Sequence, residues 1–179
     1  LGSARLDRKG KVAQSRRSPE QWAAVRYAYR DARRYAELMG YTLRGTVKIG
    51  DTSLAHIGML WARGHGDEVL RRYTDRFYER FWRRELDAED PAVVSALLRE
   101  AGAALEGFAD YHRGRGRETH DAMQTAIFES GIFGVPSYVV DGELFFGREH
   151  LPMVRWLLEG KRGPAPDVSY APIERAADG

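Results

Sequence analysis

The run Gly131-Ile132-Phe133-Gly134-Val135-Pro136-Ser137-Tyr138-Val139-Val140-Asp141-Gly142-Glu143-Leu144-Phe145-Phe146-Gly147 constrains this chain more than any other. Asp141-Gly142 separates two β-prone stretches, and Asp-Gly at that place signals a hairpin because both turn positions take positive φ. Both strands carry apolar side chains on both faces. A two-stranded hairpin of that kind is not stable alone in water. It needs a sheet partner and a helical cover. His150 to Glu159 reads as a final helix, with Pro152 near its first turn and Leu151, Val154, Leu157 and Leu158 inward.

Upstream the texture is helical. Residues 1–17 have many basic and small residues and little periodicity, so an irregular, solvated segment is expected. Ser18-Pro19-Glu20-Gln21 is a capping box with proline at the first helical position. The helix it opens runs to about Met39, with Trp22, Val25, Tyr29, Ala32, Ala36 and Met39 at helical spacing and Gly40 as its stop. Tyr41 to Asp51 reads as loop with a short extended piece. Asp51-Thr52-Ser53 caps a helix carrying Leu54, Ile57, Leu60 and Trp61, which Gly64-His65-Gly66 breaks. A long amphipathic helix follows with Val69, Leu70, Tyr73, Phe77, Phe81 and Trp82. Asp90-Pro91 opens another, which ends at Gly102; Glu106 to Ser130 is largely helical, loosened at Gly114 and Gly116. The expected organisation is therefore an irregular segment (1–17), a helical domain (18–130), a strand–strand–helix (131–160) and a tail on the surface or disordered (161–179). No earlier segment reads as a confident buried strand. The hairpin's partners are either a weak strand in the first 50 residues or residues upstream of Leu1.

Composition closes several routes. At 179 residues and 43% hydrophobic, the chain suits one domain, or one domain with an insertion, and is not of disordered composition. It has no cysteine, which excludes a disulfide, a thiolate metal ligand, a cysteine nucleophile and a dithiol redox motif of its own. A net charge of only +2 argues against a nucleic-acid wrapper. No apolar run approaches the roughly 20 residues of a membrane span, and no signal peptide is visible, so a cytoplasmic protein is expected.

The run from Gly134 to Leu151, with its G-V-P strand entry, D-G hairpin and F-F-G before a helix, resembles the C-terminal part of DsbA-like thioredoxin folds. Within them it is most similar to the 2-hydroxychromene-2-carboxylate isomerase and kappa-class glutathione transferase branch. The resemblance implies an α/β thioredoxin-like fold with a large all-helical insertion, for which residues 18–130 qualify. It also implies an opening strand–helix–strand, with a catalytic Ser or Cys, that has no counterpart here. With Leu1 in place of Met, a longer natural chain is expected.

The resemblance implies site residues as well. The Val135-Pro136 bond is expected to be cis, turning the Val135 backbone toward the cysteinyl part of glutathione. The start of the last helix is expected to hold the γ-glutamyl end, with Arg148 toward its carboxylate and Glu149 toward its ammonium group. The branch often has Asn-Asp or Ser-Asp at that place, so Arg148-Glu149 is a departure. The implied activity is a glutathione-dependent isomerisation or transfer on an aromatic α,β-unsaturated 2-oxo acid, with His56, Met59, Tyr78 and Trp82 as substrate contacts and a homodimer as the possible assembly. The alternatives are a thiol–disulfide oxidoreductase, if upstream residues supply Cys-x-x-Cys, and a binding module without catalysis.

The remaining features have ordinary readings. Tyr73, Phe77, Phe81 and Trp82 suit core packing before a pocket wall. Arg26, Arg30, Arg33 and Arg34, interleaved with Asp31 and Glu37, suit a solvated face. The histidines lack metal-ligand spacing, and no nucleophile elbow accompanies Asp51, Ser53 and His56.

Overall fold

The computed structural model describes residues 4–6, 12–15, 17–46 and 50–166. They fall in two compact units, 1–121 and 122–179, divided inside a helix rather than at the helix end that the sequence suggests.

In the first unit, the segment expected to be irregular holds two strands among its described residues. Strand β1 (Ala4–Leu6) pairs antiparallel with β2 (Val12–Ser15), and the register shifts between Arg5 and Leu6. Strands this short, with a shifted register, leave no period-2 pattern to read; backbone pairing makes them. Helix α1 (Pro19–Leu38) starts on the expected capping box: the Gln21 N–H donates to Ser18 Oγ at 3.3 Å and the Ser18 N–H to Gln21 Oε1 at 3.0 Å. Its apolar stripe is only half-buried, and no α1 residue reaches the core.

The core lies in the helices that follow, α2 (Ser53–Gly64), α3 (Asp67–Arg83), α4 (Pro91–Ala101) and α5 (Phe108–Arg113). Leu54 and Ile57 of α2, Tyr73 and Phe77 of α3 and Val94, Leu97 and Leu98 of α4 are buried against one another. Asp90 caps α4, accepting from the Ala92 N–H at 2.8 Å. Arg80 grips Glu100 with both terminal nitrogens, at 3.2 and 2.6 Å, and Arg72 Nε donates to the Ala101 carbonyl at 2.8 Å. Those contacts tie α3 to α4. The break at Gly114 separates α5 from α6 (Arg115–Glu129). Gly116 does not loosen the chain. It lies buried within α6, where a Cβ would stand 2.5 Å from the Tyr111 ring.

The second unit holds the end of α6, β3 (Ser137–Val140), β4 (Glu143–Phe146), a 3-10 turn (Arg148–His150) and α7 (Leu151–Leu158). The hairpin pairs Ser137 with Phe146, Tyr138 with Phe145, Val139 with Leu144 and Val140 with Glu143. Its turn takes positive φ at both Asp141 (52°) and Gly142 (84°). Helix α7 packs on β3. Val139, Leu144 and Phe146 stay exposed, and each sheet among the described residues has two strands. The Trp156 indole donates to the Gly163 carbonyl at 3.1 Å, drawing the chain after α7 back toward that helix. The tail expected over 161–179 lies mostly outside the described residues, which end at 166. No helix among the described residues is long and apolar enough to cross a membrane.

Candidate functional site

The second unit carries the four residues that the resemblance nominates for glutathione, Val135, Pro136, Arg148 and Glu149. The Val135-Pro136 peptide is cis. Val135 precedes the paired residues of the hairpin and is 88% exposed. The Pro136 carbonyl accepts from the Gly147 N–H at 2.9 Å, which closes the open end of the hairpin. Ser137 Oγ donates to the Gly134 carbonyl at 2.6 Å, fixing the bend into β3. Gly134 is required there, because a Cβ would come within 2.7 Å of the Phe146 ring. Arg148 and Glu149 are both exposed and follow Gly147, in the turn that leads into α7. The Glu149 carboxylate folds over the Gly147 backbone, in the space a Cβ would take. The structure thus places Val135, Pro136, Arg148 and Glu149 in one unit, joined through the Pro136–Gly147 hydrogen bond.

The nominated substrate residues lie in the first unit and fall in three places. Tyr78 and Trp82 line a groove of about 420 Å³ on α3, with Tyr41 and Thr42 on the opposite lip. Met59 packs on the core. His56, near the start of α2, stacks on His120 of α6, with ring centroids 5.7 Å apart and planes at 24°. No partner for His120 is legible in the sequence, because α2 and α6 lie far apart in the chain. The only local signal was the adjacent Asp121.

The His56–His120 locus is electrostatically defined. Burial pushes the His56 imidazole below its ordinary value of 6.5, and the neighbouring His120 pushes it further, while Asp51 pulls the other way. His120 is 9% exposed. Its Nδ1 lies 2.8 Å from Asp121 Oδ1, and Arg117 NH1 lies 3.7 Å from the same oxygen. Asp51 Oδ1 accepts from the Ser53 N–H at 2.9 Å and so anchors the entry to α2. A cavity of about 280 Å³ opens beside Asp51 and Thr52, walled by Phe81, Leu86 and Ala88. No group of three His, Asp or Glu side chains among the described residues could hold a metal ion.

Comparison with known proteins agrees with this architecture. The model of the DsbA-like thioredoxin domain matches residues 4–159, and the chain belongs to that family. Over 93 residues it is 24% identical to a 2-hydroxychromene-2-carboxylate isomerase from Sphingobium xenophagum, a match covering 51% of this chain and 47% of the relative. The chain therefore spans about half the length of that curated relative. A solved 2-hydroxychromene-2-carboxylate isomerase, in its selenomethionine form, superposes with a TM-score of 0.63 at 18% identity, over 80% of this chain and 70% of that one. The fold is thus the DsbA-like thioredoxin fold, helix-rich with little sheet.

Proposed function

We propose that this protein is a glutathione-dependent isomerase of aromatic α,β-unsaturated 2-oxo acids, of the 2-hydroxychromene-2-carboxylate isomerase kind. The observation that carries the reading is the placement of Val135 ahead of the hairpin ladder, with Glu149 folded over Gly147 at the same end. Strand pairing makes no use of Val135, so its peptide groups suit an incoming peptide held in strand fashion. Those residues fit the chemistry of glutathione, which is itself a short peptide with an ammonium and two carboxylates. Glu149 matches the γ-glutamyl ammonium group. Arg148 and the amides at the start of α7 match its carboxylate. Glutathione supplies a thiolate that adds reversibly to the conjugated double bond and lets it rotate.

The likeness to a 2-hydroxychromene-2-carboxylate isomerase supports the substrate class. The experiment is a spectrophotometric assay of the chain with 2-hydroxychromene-2-carboxylate, with and without glutathione. Turnover that needs glutathione supports the reading. Turnover indifferent to glutathione removes the glutathione dependence, and no turnover with saturable glutathione binding removes the isomerase and leaves a binding module.

A further inference from the structure

We propose that His56 is the proton-exchange residue for opening the substrate's ring, and that His120, oriented by Asp121, positions it. This inference rests on the isomerase reading above. A 2-hydroxychromene-2-carboxylate is a cyclic hemiketal, with a hydroxyl and the ring oxygen on the same carbon. Opening it to a 2-oxo acid with a free phenol is a proton relocation. The hydroxyl O–H breaks, its electron pair makes the C=O, the ring C–O bond breaks with its pair on the phenolate oxygen, and that oxygen takes the proton. One imidazole can accept the first proton and return it at the second oxygen, so no oxidant or co-reactant is needed.

The geometry supplies what such a residue requires. His56 is half-buried and retains an accessible edge. Its ring is backed by His120 at 5.7 Å, near-parallel. The contact of His120 Nδ1 with Asp121 Oδ1 at 2.8 Å makes Nδ1 the protonated nitrogen and fixes the ring's orientation. Arg117 steadies that carboxylate from the preceding turn. The neighbouring imidazole disfavours a proton on His56. The groups facing the pair are Asp51 from the entry to α2 and Arg117 and Asp121 from α6. Burial first, and the neighbouring His120 second, disfavour a proton on His56, as suits a base. The cavity beside Asp51 and Thr52, lined by Phe81, Leu86 and Ala88 and by the charged Arg84, Asp87 and Glu89, lies at the start of the helix that carries His56.

The test separates ring opening from double-bond rotation. The full chain is given 2-hydroxychromene-2-carboxylate in ¹⁸O water without glutathione; the ketone freed by ring opening hydrates, loses water and recloses, and the label this brings to C2 is followed by mass spectrometry, with trans product formation measured separately with glutathione. His56→Gln is expected to lower the catalysed label exchange about 100-fold, with KM changed less than about threefold. Asp121→Asn, an exposed change that leaves the core alone, is expected to slow exchange about tenfold through kcat, with KM unchanged. Without the carboxylate the His120 ring loses the partner that orients it, so the loss falls on kcat and leaves KM in place. A purely structural role for Asp121 would change Tm, or KM and kcat together, in place of kcat alone. Wild-type label exchange no faster than solvent, or full exchange in His56→Gln, overturns the inference. Catalysed exchange without any glutathione-dependent trans product supports the inference and removes the isomerase reading instead.

Discussion

The Tyr73 hydroxyl donates to the Ala55 carbonyl at 3.1 Å, a buried link between α3 and α2. It depends on Gly58, one turn further along α2. A Cβ on Gly58 would collide with the Tyr73 hydroxyl and come within 3.1 Å of Val94. The close approach of the helices at the centre of the core therefore rests on a residue with no side chain.

Gly58→Ala is accordingly expected to destabilise the helical unit by about 1–3 kcal/mol, because overpacking outweighs the roughly 1 kcal/mol gain in helix propensity. Tyr73→Phe removes only the hydrogen bond and is expected to cost about 1 kcal/mol. Urea unfolding of both variants checks the order; an alanine variant as stable as the parent would show that the helices can separate freely.

A second link runs through arginine. Arg84, at the end of α3 with φ of 62°, donates from Nε to the Gly45 carbonyl and from NH2 to the Arg44 carbonyl, each at 2.8 Å. Arg33 of α1 reaches the Leu43 carbonyl at 3.1 Å. The two guanidinium groups hold the loop between α1 and α2. Arg84→Gly relieves the left-handed backbone but loses both hydrogen bonds. The expected result is faster hydrogen exchange at the Arg44 amide, which donates to the Trp82 carbonyl at 2.9 Å, with a small change in Tm. Unchanged exchange at Arg44 would show that the loop is held by other means.

The depressed His56 has a consequence for stability against pH. A histidine whose folded pKa lies below its unfolded value binds its proton more readily when unfolded. Its contribution is fully present above the ordinary value of 6.5 and is lost as pH falls through the lower folded value. Tm is therefore expected to decline between pH 7 and pH 5, and His56→Gln to decline less over that range. His112, also lowered chiefly by burial, acts in the same direction and remains in the variant. Parallel melting curves for the two proteins across that range would count against this account.

At the hairpin, Glu149→Gln is expected to weaken glutathione binding about fivefold or more by calorimetry while leaving Tm unchanged. Its carboxylate lies over Gly147 on the surface, where it contributes little to packing. Equal affinity in the variant would remove Glu149 from the binding residues. Gly134→Ala provides the contrast, since its Cβ would displace the Phe146 ring. It is expected to destabilise the second unit and weaken binding together.

Local chemistry made much of this molecule legible from its residues. The Ser18 capping box, the Asp90-Pro91 helix start, the Gly102 stop and the positive φ at Asp141-Gly142 each depend on neighbours a few residues away, and each stands where the sequence puts it. The DsbA-like family was legible for the same reason, because its signature is one continuous run from Gly134 to Leu151. The strands in residues 1–17 were not, since three or four residues paired out of register carry no period of their own. Nor was the failure of α1 to reach the core: its apolar stripe shows which face could be buried, while the packing of α2, α3 and α4 on one another decides where the core lies. The His56–His120 pair belongs to the same class. Two rings from separate helices meet only after the chain between them has folded, so the sequence determined the elements and their ends, and tertiary packing alone decided which distant side chains share a site.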